Sequence, residues 1–105
     1  MSLIVDASVA VKWFAAEDGS DRAEALLATR EALIAPDLVL AEVSNVMWKK
    51  LRRGLVPRDQ VVTAARRLPQ YFEQLIAIGE LVERAAELTV ALDHPVYDCF
   101  YLALA

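Results

Sequence analysis

The chain has 105 residues, 57% of them hydrophobic and 25% charged, with 11 bases against 15 acids for a formal net charge of −4. That composition excludes a disordered segment, which is poor in apolar residues and heavily charged, and no apolar run approaches the roughly 20 residues that span a bilayer. A single cysteine and a single histidine exclude an internal disulfide and a zinc site of the usual ligands, and they fit a reducing cytoplasm.

The length predicts one domain, residues 1–105. Asp6 and the lack of a basic segment near the start argue against a signal peptide. Leu3-Ile4-Val5 is apolar and β-branched, as a buried parallel strand should be. Residues 7–14 then read as a helix that Asp6 or Ser8 can cap. A second helix is expected from Asp21 to about Leu33, capped by Ser20. Leu33-Ile34-Ala35 is the next strand, stopped by Pro36. Asp37 is placed to cap a long helix reaching about Arg53, ended by Gly54. Pro57 opens another helix, to about Leu68. Tyr71 to Ile78 is a third strand, and a helix follows from Glu80 to Leu92. His94-Pro95 breaks it, and a last helix starts near Val96. Strands alternating with helices predict an α/β fold with a parallel sheet covered on both faces. The final run, Phe100 to Ala105, is apolar all round. It predicts burial by something further along a longer domain, or by a partner.

Charge is segregated. Residues 1–48 hold three bases and eight acids, residues 49–67 seven bases and one acid, and residues 68–105 one base and six acids. The basic segment is either a solvated helix end or a nucleic-acid contact.

Most of the acids sit in polar loops or on charged helix faces. Asp6, Glu42 and Asp98 are embedded in apolar sequence, where a carboxylate is costly unless paired, hydrogen-bonded or metal-bound. Each alone can be a cap or an exposed helix residue. In a parallel sheet, however, Asp6 stands at a strand's C-terminal end, where sites form, and the other two helices can reach it. Three carboxylates brought together repel. A hard divalent cation, Mg²⁺ or Mn²⁺, relieves that repulsion. Ser8 can hold a water or a carboxylate oxygen, or simply start a helix. Asn45 shares a helix face with Glu42 and can orient it from outside the ligand set.

The segments Ile4-Val5-Asp6-Ala7-Ser8, Leu40-Ala41-Glu42-Val43-Ser44-Asn45 and Tyr97-Asp98-Cys99-Phe100-Tyr101-Leu102-Ala103 together resemble the PIN domain, and more narrowly the ribonuclease toxins of VapBC-type toxin–antitoxin modules. The resemblance covers the whole chain. It implies a three-layer α/β/α sandwich with a parallel sheet, whose last strands this chain would lack at its C-terminal end. It also implies a cytoplasmic Mg²⁺- or Mn²⁺-dependent endoribonuclease, a homodimer restrained by a cognate antitoxin. Asp6, Glu42 and Asp98 match the family's metal-binding acids, with one or two metals left open. Family members often carry a fourth acid beyond the last matched segment, so an inactive PIN-like binding module stays open as the alternative. RNA is expected on Lys49, Lys50, Arg52 and Arg53, with Lys12, Arg66 and Arg67 as further candidates. Trp13 and Trp48 can stack on bases or serve as core and dimer contacts.

Overall fold

The computed structural model describes residues 2–29 and 31–105. Among these residues three strands, β1 (Ser2–Ile4), β2 (Ala32–Pro36) and β3 (Gln74–Ile76), form a wholly parallel sheet in the order β1-β2-β3. Among the described residues six α-helices accompany them: α1 (Ala7–Ala10), α2 (Ser20–Leu27), α3 (Leu38–Arg52), α4 (Arg58–Arg67), α5 (Ile78–Leu92) and α6 (Val96–Leu104). The expected α/β class and parallel sheet are borne out. No helix among the described residues is long and apolar enough to cross a membrane.

Several boundaries differ from the sequence reading, each for a physical reason. The first helix is shorter than expected and passes into a 3-10 turn over Val11–Trp13. The second ends at Leu27, not near Leu33, because β2 claims Ala32 and Leu33 for pairing with β1. Arg30, inside that expected helix, lies outside the described residues.

Pro36 does not stop the second strand but closes it, in register with Ile76. Its missing N–H is no loss there. The neighbouring ladder to β1 ends at Ile34, and Asp37 resumes bonding to β3 through its N–H to Ile76, at 2.8 Å. The third strand is only three residues long. Leu68–Tyr71 before it forms a 3-10 turn that buries Leu68 fully.

The larger core gathers Val5, Val11, Leu33, Val39, Val43, Met47 and Leu68 between the sheet, α1, α3 and α4. A smaller one, of Ala85, Cys99 and Phe100, joins α5 to α6. The terminal apolar run is thus partly relieved within the chain: Phe100 is buried, while Leu102 stays half exposed. No charged side chain is buried among the described residues. Gly54 ends α3 with φ at +72°, a conformation that costs glycine little.

Asp37 does not cap its own helix with its side chain. Its Oδ1 instead accepts the Ile78 N–H at 3.1 Å, capping the start of α5 from the end of β2. Replacing it with alanine should cost about 1 kcal/mol in urea unfolding, the usual worth of a cap. Asp37→Asn should keep most of that, and equal stability of the alanine variant and the parent would refute the assignment.

Candidate active site

The sheet's parallel sense puts the C-terminal ends of β1 and β2 on one edge, and the chain turns there into α1 and α3. Asp6 stands two residues beyond the end of β1 and caps α1. Its Oδ1 accepts the Val9 N–H at 3.1 Å and the Ser8 hydroxyl at 2.7 Å. Ser8 therefore holds a carboxylate oxygen of Asp6 in place. Both side chains remain open to solvent.

Glu42 sits at the edge of the α3 stripe that packs through Val39, Val43 and Met47, so it is half buried. Its Oε1 accepts the Tyr101 hydroxyl at 2.6 Å, a bond from α3 to α6. Burial, followed by the hydrogen bond to Glu42, its charge and that of Asp6, pushes the Tyr101 phenol well above its ordinary value. The backbone of Ala7 hydrogen-bonds the same hydroxyl and pulls the other way. Tyr101 thus stands between Glu42 and the start of α1.

Asp98 lies in the first turn of α6. Its Oδ2 is 2.7 Å from His94 Nε2. His94 reaches it because α5 ends on Asp93, whose φ of 50° is left-handed and reverses the chain within a residue. Both partners are largely exposed, at 48% and 71%, so the contact orients the carboxylate more than it stabilises the fold.

Asp6, Leu92, His94, Asp98, Tyr101 and Leu102 line a cleft of about 470 Å³. Asp6 and Asp98 thus share one cavity, and Tyr101 connects Glu42 to it. Among the described residues no three acidic, histidine or cysteine side chains stand together as a ready cation cage. Each of the three carboxylates is instead turned toward its own neighbour, Ser8, Tyr101 or His94. Asn45 is exposed one turn beyond Glu42 and makes no hydrogen bond to it.

The expected basic residues fall into different settings. Lys50 pairs with Glu17 at 2.8 Å and is largely covered. Lys12 packs its amine beneath Gly19. Lys49, Arg52 and Arg53 stay exposed around Trp48. Arg66 and Arg67 are exposed in the last turn of α4. Trp13 is a structural residue: its indole N–H donates to the Ala23 carbonyl at 2.7 Å, and its ring meets Tyr71 and Phe72. Two contributors carry only a weak signal in the sequence. Tyr101 reads as one more apolar helix residue, and only its i,i+3 spacing from Asp98 hints at a shared face. His94 reads as a helix breaker, though its i,i+4 spacing from Asp98 is a detectable signal.

Residues 3–105 match the PIN domain family. The chain belongs to that family. It is also similar to ribonuclease VapC3 of Pyrobaculum aerophilum, at 34% identity over 107 residues, which cover 100% of this chain and 82% of the relative. In this PIN domain the oxygen-rich cleft lies at the strand ends, where open α/β sheets place their sites. Its donor chemistry suits a hard divalent cation: the carboxylates are oxygen donors, two of them solvent-facing, and Cys99 is buried away.

Tyr101→Phe removes the donor to a half-buried carboxylate and should cost about 1–2 kcal/mol at neutral pH. The native state favours the neutral phenol. Its contribution is therefore complete below the ordinary tyrosine value of about 10 and lost as pH rises beyond it, where only the unfolded chain ionises. Urea unfolding at pH 7 to 11 should show a steeper alkaline loss in the parent than in Tyr101→Phe. Parallel curves would refute the buried, protonated phenol.

Proposed function

We propose that this PIN domain is a divalent-metal-dependent endoribonuclease, the toxin of a VapBC-type module, acting in the cytoplasm as a homodimer and restrained by a cognate antitoxin. The observation that carries the reading is the shared cleft, which Asp6 and Asp98 both line and to which Tyr101 ties Glu42. The family match and the similarity to a ribonuclease support it. Exposed Val82, Val90, Leu92, Tyr97 and Leu102 on α5 and α6 offer apolar area for a protein partner.

Asp6, Glu42 and Asp98 would hold the cation, Mg²⁺ or Mn²⁺. Bound there, it supplies Lewis-acid polarisation of a phosphoryl oxygen and a water acidic enough to attack at neutral pH. The chain's own groups do the positioning. Ser8 and the α1 N-terminus fix one oxygen of Asp6, leaving the other free. The Tyr101 phenol remains a donor at all physiological pH values and holds Glu42 toward the cleft. His94 fixes one oxygen of Asp98 and can carry a proton at its ring nitrogen. Leu92 and Leu102 narrow the cavity with apolar walls.

Purified protein incubated with a labelled single-stranded RNA should cleave it in Mn²⁺ or Mg²⁺ and not in EDTA. Asp6→Asn and Asp98→Asn should lose at least about a hundredfold in rate. His94→Ala, which leaves all three carboxylates in place, should lose about tenfold. Thermal melts should show that the metal stabilises the parent and not Asp98→Asn, since the ion binds only the native state. Cleavage that persists in EDTA would sink the metal-dependent reading. Neither cleavage nor a metal-induced shift would leave the inactive binding module standing.

A further inference from the structure

We infer that a single RNA strand lies along the exposed stripe of α3, from the acidic cleft to a basic, aromatic pocket at the helix's C-terminal end. The inference rests on the ribonuclease reading and specifies how substrate is held. The exposed residues of α3 are Ala41, Asn45, Trp48, Lys49 and Arg52, three or four apart except for the adjacent Trp48 and Lys49, with Arg53 following as its C-cap. Such spacing makes one continuous strip. Glu42 flanks it at the cleft end. At 1.5 Å per residue, Lys49 lies about 10 Å and Arg53 about 16 Å further along the axis, a reach of a few nucleotides.

Trp48, Lys49, Arg52 and Arg53 line a pocket of about 410 Å³. No acidic side chain among the described residues pairs with Lys49, Arg52 or Arg53, although Lys50 and Arg84 both have such partners. Cations suit a helix C-terminus in general, but the dipole gives no reason for an exposed indole among them. Trp48 is 46% exposed, with the Arg52 guanidinium 5.0 Å from its ring centroid. An exposed indole among cations that have no acidic partner matches an unpaired base with its flanking phosphates. Ala41 and Asn45 keep the strip low between the two ends, and the Asn45 amide offers a donor and an acceptor midway. Stacking on Trp48 requires an unpaired base, which favours a single strand over a duplex.

The test is fluorescence anisotropy with a fluorescein-labelled single-stranded oligoribonucleotide of mixed sequence, titrated in EDTA so that binding is read without cleavage. The Lys49→Gln/Arg53→Gln double variant should bind about tenfold more weakly. The slope of log affinity against log salt should fall in magnitude by about 1.4, the value for two lost phosphate contacts on a single strand. Trp48→Ala should weaken binding at least about fivefold, and RNA should quench the indole emission of the parent but not of Trp48→Phe. In cleavage assays the double variant should raise KM and leave kcat unchanged. Melting temperatures within a degree or two of the parent would show that the variants fold. Unchanged affinity and salt slope would overturn the inference, even if the parent cleaves RNA. So would double-variant effects confined to sedimentation, which would make the pocket a protein interface. RNA binding that depends on the pocket, in a protein that never cleaves, would uphold the strand path while refuting the ribonuclease reading.

Discussion

Tyr101 donates to Glu42 across 59 residues of sequence, and through that bond α6 is fastened to α3 at the edge where β1 delivers Asp6. The bond ties the helix that carries Glu42 to the helix that carries Asp98. Glu42 sits on a helix whose buried face is fixed by Val39, Val43 and Met47, so it has little freedom to move. Asp98 travels with α6, which is otherwise held by α5 and by β2. Losing the phenol would leave a half-buried carboxylate without its donor, while the cluster around Cys99 and Phe100 still holds α6.

Much of this was legible in the sequence, and the reasons are specific. Asp6, Glu42 and Asp98 stood out because charged residues in apolar sequence need a partner. The parallel sheet followed from short apolar runs alternating with helical spacing. Long-range pairing was not legible. Asp37 has the look of a cap for the helix it precedes, yet its oxygen serves α5, whose start the fold brings alongside. Lys49 and Lys50 are equivalent as sequence, but helix rotation gives one to Glu17 and the other to solvent. The extent of β3 was overestimated because Tyr71 and Phe72 look like strand residues. Their rings are instead taken by Trp13, which holds that segment in a tighter turn.

Helix α3 combines three duties by rotation alone. One side is core, one edge carries Glu42, and the remaining face runs from small residues to bases. The core side ties these positions together, because a turn of the helix that moved Glu42 would also drive Val43 or Met47 out of the interior. Part of the charge segregation along the chain is thus kept in space, with Lys49, Arg52 and Arg53 together at the end of α3 and Asp6 at the end of β1. A net acidic protein can in this way keep a local field suited to a polyanion.

Cys99 follows Asp98 directly, yet its thiol is fully buried between α5 and α6 while the carboxylate faces solvent. A thiol reagent can reach it only when these two helices separate. The rate of its modification is then a clock for that opening, calibrated by the free energy of the local event and not of global unfolding. Anything that occupies the neighbouring cleft and braces α6 should slow the clock, so the chain's single sulfhydryl serves as an internal gauge of occupancy one residue away from the site.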